Sequence, residues 1–316
     1  MIKTKDLTKR YGDITALNSL NLEIEEGMIF GYIGPNGAGK TTTIRILCSL
    51  LKPTDGEAFI DNISVRRKPE KIKTLVGYMP DFFGVYDEMR VWEYIDFFGA
   101  AYRIPRRKRK KRIDEVLEIT GSREMKDYYI DSLSRGMRQR IIIAKTLIHD
   151  PKVLFLDEPT SGLDPRARIE IRKVFLQLKD MGKTILISSH ILPELANVCD
   201  KIGIIEKSNL CACGTMEEVM HQTRQNRLIE IEFRENADTY IPLFQKQFPV
   251  TNPQRTGRVL RFEFAGQESD IENMLKDVSR KEFPILWFRE VPVDLEEVFM
   301  KITRMEAAGS RSKSDK

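Results

Sequence analysis

Short, near-continuous apolar runs recur along the first ~215 residues, separated by stretches with apolar positions every three or four residues. The runs at 28–33, 58–60, 74–79, 153–156, 184–188 and 201–206 are strand-sized. Several lack polar alternation. They therefore predict strands covered on both faces, as in a largely parallel sheet. Residues 41–51, 106–120, 138–149 and 165–179 carry helical periodicity. Alternating strands and helices predict an α/β fold. Residues 87–150 have few strand signals and read as a helical insertion. No internal repeat is visible.

Beyond residue 222 the texture changes. Residues 228–233, 259–264 and 285–288 predict strands, and 269–282 places Ile271, Met274, Leu275 and Val278 at helical spacing. A last helix over 294–303 carries Leu295, Val298, Phe299 and Ile302 as one apolar stripe. The order strand–helix–strand–helix–strand–helix predicts a small C-terminal α/β domain. The chain thus divides into a first domain over 1–221, with its helical subdomain at about 87–150, an accessory domain over 222–305, and a polar tail over 306–316 expected to be disordered.

Composition narrows the class. With 41% hydrophobic residues in 316, the chain has material for a sizeable core, which excludes wholesale disorder. No apolar run approaches the ~18–20 residues of a membrane-spanning helix. The N-terminal MIKTKDLTKRYG has no apolar segment of the secretory kind, so a cytosolic location is expected. A net charge of +5 is mild and does not by itself indicate nucleic acid. Cys48, Cys199, Cys211 and Cys213 make no disulfide framework at this length. Cys211-x-Cys213 lacks nearby histidines to complete a zinc site and reads as incidental thiols.

Candidate chemistry is sharper. The run from Gly34 to Thr41, GPNGAGKT, fits G-x-x-x-x-G-K-[ST] between an apolar strand and a helix, the context this motif requires. Gly34, Gly37 and Gly39 allow backbone N–H groups, with those around Asn36 and Thr42, to turn onto phosphate oxygens at a helix N-terminus. Lys40 is placed to reach the β- and γ-phosphates and the Thr41 hydroxyl to ligate Mg²⁺, so ATP or GTP binding follows. About 115 residues later an apolar strand ends in Asp157-Glu158. One carboxylate, Asp157, suits Mg²⁺ through its water shell; Glu158 suits orienting or deprotonating the attacking water.

Between and beyond these lie LSRGMRQR from Leu133 to Arg140, SGLD from Ser161 to Asp164, SSH ending at His190, and KRYG with Tyr11. In this order they resemble the signature, D-loop, switch histidine and adenine-stacking aromatic of the ATP-binding-cassette (ABC) ATPases. The LSRGM form, and the Pro292 to Thr303 stretch with its LEEVF core, resemble the class that powers drug, sodium and polysaccharide export. That resemblance implies a P-loop core sheet with a helical subdomain. It implies two cassettes, this chain with a second copy or a related one, sandwiching two ATPs head to tail. Ser134 and Gly136 would meet the γ-phosphate across the interface. His190 would touch it too, and Asp164 would brace the interface. It further implies export of an unidentified substrate through a separate membrane-spanning permease, with this chain peripheral on the inner face of the cell membrane. Two departures stand out. Arg135 and Met137 occupy signature positions where glycine and glutamine are usual, and Asp81 stands where the Q-loop usually has glutamine. Asp81 is a further candidate metal ligand, one methylene shorter than the glutamate of the export class.

Arg103 to Arg112 holds eight basic residues in ten. It reads either as a solvated helix start, as a contact for anionic lipid or an acidic loop of the membrane partner, or as a nucleic-acid site. Nucleic acid is not expected, because no aromatic residues interleave the run. An alternative function, a soluble ABC ATPase on ribosomes or nucleic acid, calls for a second phosphate loop or a long coiled coil. The chain has one such loop and about 92 residues without heptads between Lys40 and Leu133.

Overall fold

The structure is a computed structural model. It describes residues 1–81, 84, 88–223, 227–234, 240–248, 250–264, 266, 268–280 and 283–291. The chain divides into two compact units, Met1–Met216 and a second beginning at Glu217.

The first unit opens with two long strands, β1 (Ile2–Tyr11) and β2 (Ile14–Ile24), followed by β3 (Ile29–Ile33), α1 (Lys40–Leu47), β4 (Asp55–Ile60), β5 (Ile63–Ser64), α2 (Pro69–Leu75) and β6 (Val76–Met79). Three helices come next, α3 (Val91–Ala101), α4 (Arg106–Ile119) and α5 (Arg135–Leu147). The unit then returns to alternation with β7 (Val153–Asp157), α6 (Pro165–Asp180), β8 (Thr184–Ser189), α7 (Leu192–Leu195), β9 (Lys201–Glu206) and β10 (Asn209–Gly214).

A six-stranded sheet of order β10-β9-β3-β8-β7-β6 forms the centre, parallel except for the edge strand β10. Every residue of β3, β7 and β8 is buried, which is why these strands read as unbroken apolar runs. The parallel register pairs Ile33 with Ser189 and Asp157 with Ser188, so three strand ends fall level. A second, antiparallel sheet of order β2-β1-β4-β5 packs Leu7, Leu17, Leu20 and Leu22 into one core with Phe30, Ile44, Leu47 and Phe155. Each such side chain contributes roughly 1.5–3 kcal/mol by leaving water. The sequence reading missed β1 and β2. Their outward positions carry Lys, Asp, Glu and Asn, and register shifts break the alternation of β1.

In the helical region the Arg109 guanidinium grips Asp96 with two hydrogen bonds of 2.6 and 3.1 Å, joining α4 to α3. Ile113, Val116 and Leu117 face inward, as their spacing predicts. The last turn of α5 leads to His149, whose ring stacks on Tyr102 at 3.8 Å and whose Nε2 lies 2.9 Å from the Val76 carbonyl. That bond ties the helical region to the start of β6.

The second unit begins in α8 (Met216–Thr223) and continues with β11 (Arg227–Phe233), α9 (Ile241–Gln247), β12 (Val250–Thr256), β13 (Val259–Phe264), α10 (Glu268–Arg280) and β14 (Ile285–Glu290). Its sheet, β12-β13-β11-β14, is antiparallel throughout, which corrects the expected small α/β domain to an α+β one. The core joins Ile229, Ile231, Leu260, Phe262 and Phe264 to Phe244 of α9 and to Met274 and Val278 of α10. The sequence reading missed β12, whose VTNPQRT has a proline and the positive-φ Asn252 in mid-strand. The helix that the expected order places after the first strand, without assigned residues, is α9, a short helix with Pro242 in its first turn. The expected helix at 294–303 and the tail at 306–316 lie outside the described residues.

His149 yields a pH prediction. Burial, reinforced by the Arg112 and Lys145 charges, lowers its pKa to about 4, against the Val76 hydrogen bond and Asp150. The unfolded chain therefore binds more protons between about pH 6.5 and 4. The stabilisation is full above pH 6.5 and is lost as pH falls through that window, by roughly 2–3 kcal/mol. Urea unfolding from pH 7 to 4.5 is expected to show this extra loss in the wild type and not in His149→Gln. Parallel pH profiles would contradict the assignment.

Candidate nucleotide site

The level ends of β3, β7 and β8 position the site. The loop after β3 turns sharply at Gly39, which has φ 114 and lies against the Ala16 carbonyl, so that a Cβ there would be both strained and in collision. Gly34 N–H donates to Ser189 O at 3.1 Å, fastening the loop's start to the end of β8. Lys40, the first residue of α1, is buried. Its ammonium donates to the carbonyls of Gly34 (2.5 Å) and Pro35 (3.2 Å) and lies 3.4 Å from Glu158 Oε1.

Thr41 Oγ1 donates to Asp157 Oδ2 at 2.8 Å. The other oxygen of Asp157 accepts from Ser188 Oγ at 2.5 Å, and Ser188 Oγ in turn accepts from Glu158 N–H at 3.0 Å. Glu158 leaves the strand with φ 50, a left-handed conformation just before Pro159 that costs on the order of 1 kcal/mol. Its Oε2 lies 2.9 Å from His190 Nδ1, while the buried Oε1 has no hydrogen bond. Pro35, Asn36, Gly37, Gly39, Lys40, Thr41, Thr42, Asp81 and Glu158 line one cleft with Ala16. Burial and the neighbouring Asp157 charge raise the Asp81 carboxyl above its usual range, opposed by Arg135, His190 and Lys40. Thr41 and Asp157 supply hard oxygen donors of the kind Mg²⁺ takes. Among the described residues no group of three or more His, Cys, Asp or Glu side chains is placed to hold a metal ion.

The signature stands elsewhere in the unit. Ser134 caps α5, its hydroxyl accepting from Met137 N–H at 3.3 Å, so the helix starts at Arg135 and not at the expected Arg138. Asp164 caps α6, accepting from Ala167 N–H at 2.9 Å. Between them the structure builds contacts the sequence did not reveal. The Arg135 guanidinium lies over Gly162, where a Cβ would collide with it. Gly136 backs onto Ala167, and the buried Gln139 amide donates to Pro159 O at 2.6 Å. Thr160 Oγ1 donates to the buried Glu194, which also pairs with Arg168 at 2.7 Å. Tyr11 ends β1 half-exposed, with the Lys9 ammonium 4.9 Å from its ring centre, and is not among the cleft residues.

Among the described residues no helix is long and apolar enough to cross a membrane. The ABC transporter family model matches residues 17–161. The chain is 35% identical over 223 residues to the probable multidrug ABC transporter ATP-binding protein YbhF of Escherichia coli (strain K12), covering 71% of this chain and 38% of that one. The chain thus spans well under half the length of that relative. It is 35% identical to the bacitracin transport ATP-binding protein BcrA of Bacillus licheniformis, covering 87% of this chain and 89% of that one. The dimeric structure of MJ0796, a bacterial ABC transporter cassette, superposes with TM-score 0.62 at 28% identity, covering 68% of this chain and 99% of that one. With the loop, the acidic strand end and the capped signature helix in their places, the chain belongs to the ABC transporter family of ATP-binding proteins, and its first unit is an ATP-binding cassette.

Proposed function

We propose that this chain binds ATP with Mg²⁺, hydrolyses it in a head-to-tail pair of cassettes, and powers export through a separate membrane-spanning subunit. The observation that carries the reading is the hydrogen-bonded chain Thr41–Asp157–Ser188–Glu158, with Lys40 and His190 on either side of the Glu158 carboxylate. Thr41 and Asp157 would hold Mg²⁺, with Asp81 facing it from the cleft wall. When bound, the ion neutralises phosphate charge and orients the transferring group. Lys40 exchanges its loop carbonyls for phosphate oxygens. Glu158 is oriented by His190 through Oε2, and its Oε1, which has no hydrogen bond, takes the proton of the attacking water. His190 then meets the γ-phosphate, and Tyr11 stacks on the adenine.

One chain does not complete this site. Ser134 and the Gly136 amide are placed at the start of α5, where a second chain's γ-phosphate would find a helix N-terminus. Asp164 braces that interface. Dimerisation is supported by the dimeric form of a related cassette, and export by the transport names of relatives such as BcrA. The chain then works at the inner face of the membrane, docked on its permease and beside anionic lipid.

Glu158→Gln is expected to keep ATP affinity, lower turnover by roughly 10²–10⁴-fold and accumulate an ATP-bound dimer on size exclusion. A monomer with ATP and Mg²⁺, even beside the partner, would contradict the sandwich. Lys40→Ala is expected to lose nucleotide binding in a fluorescence titration. Ser188→Ala removes a buried hydroxyl that serves both Asp157 and Glu158. Urea unfolding should show a loss of about 1–3 kcal/mol, and unchanged stability would mean the hydroxyl does not hold these strand ends together.

A further inference from the structure

The exposed face of α4 has no role in the nucleotide site. Its first turn is Arg106-Arg107-Lys108-Arg109, with no acidic residue to complement the positive end of the helix. Cations there oppose the helix dipole, so local stability does not explain them. The two arginines held in place along this helix are committed to the chain itself. Arg109 binds Asp96 and the Ile104 carbonyl. Arg112 binds the Leu147 and Ile148 carbonyls, Asp150 and Glu115. Lys111 lies 3.7 Å from Glu115. Arg106, Arg107, Lys108 and Lys110 are exposed, and no ion pair engages them among the described residues. Beside them runs an open cleft of about 640 Å³, lined by Arg107, Lys108, Lys111 and Arg112 over Ile104 and Ile148, with Glu115, His149 and Asp150 completing the wall.

We propose that this face of α4 binds the phosphate headgroups of an anionic membrane surface, through Arg106, Arg107, Lys108 and Lys110. This rests on the reading that the chain works beside a membrane-spanning subunit. A specific acidic protein loop calls for guanidiniums held in fixed forks, and the two fixed ones are already used internally. What remains is four long, unrestrained cations, suited to a mobile field of lipid phosphates. The cleft supplies an apolar floor, Ile104 and Ile148, for the glycerol and upper acyl region, under a basic rim.

The test is flotation of the purified full chain with vesicles of phosphatidylcholine alone or containing phosphatidylglycerol. Binding is expected only to the anionic vesicles, and it should vanish in 1 M salt, where screening acts within about 3 Å. Each cation near such a surface changes partitioning by about fivefold. The variant Arg106→Gln, Arg107→Gln, Lys108→Gln, Lys110→Gln should therefore lose affinity by about two to three orders of magnitude. A control with equal charge loss at exposed sites in β1 and around α2, Lys5→Gln, Arg66→Gln, Lys68→Gln, Lys71→Gln, should keep it. Equal loss in the control, equal binding to neutral vesicles, or capture of poly-glutamate in place of vesicles would overturn the proposal. ATP titration of the same variants separates the two readings. Unchanged nucleotide affinity with lost flotation supports the lipid face, and unchanged flotation in the α4 variant refutes it while leaving the ATPase reading intact.

Discussion

The Ser188 hydroxyl, donating to Asp157 and accepting from the Glu158 amide, makes the ends of β7 and β8 one object. It works because the parallel register sets Asp157 opposite Ser188, and Ile33 opposite Ser189 one strand further. From that level platform the phosphate loop leaves β3, the two carboxylates leave β7, and His190 leaves β8. The Asp157 carboxylate belongs to a fully buried strand, Glu158 directly follows it, and that rigid support holds the backbone strain at Glu158. A change that slips this register moves Thr41, Asp157, Ser188 and Glu158 together.

The same unit holds a second rigid assembly. Arg135, Gly136 and Gln139 pack the start of α5 on residues 159–167, and Glu194 ties Thr160 and Arg168 to the segment after His190. The signature, the D-loop and the switch segment are thereby linked through side chains within one chain. If the γ-phosphate of a second chain meets Ser134, its effect has a continuous physical route back to Pro159, the residue after Glu158. Arg135, which departs from the usual glycine, is one of the links on that route.

The placement of the candidate-site residues was largely legible in the sequence because their spacing is rigid. Gly34 to Thr41 must bridge a strand and a helix, and Asp157-Glu158 must end an apolar strand. The structure brings Asp81 to the same cleft, an unusual residue at a recognisable position. Other features depend on contacts distant in sequence. Ser188 read only as the neighbour of His190, yet it bonds across 30 and 31 residues to Glu158 and Asp157. The contact of Arg135 with Gly162, and the capping by Asp164, became visible only with the packing of α5 and α6. In the fold, buried parallel strands announced themselves by apolar runs. Strands β1, β2 and β12, with polar outward faces, bulges or a proline, did not.

The central claim is that a working site takes its phosphate loop from one chain and its signature from another. Disulfide trapping between two populations tests it most directly. With Cys48, Cys199, Cys211 and Cys213 replaced, one population carries Asn36→Cys and the other Ser134→Cys, both with Glu158→Gln. On oxidation the account predicts an intermolecular bond between the mixed populations with ATP and Mg²⁺, and none without nucleotide. No ATP-dependent bond between the mixed populations, or one formed equally without nucleotide, would contradict it.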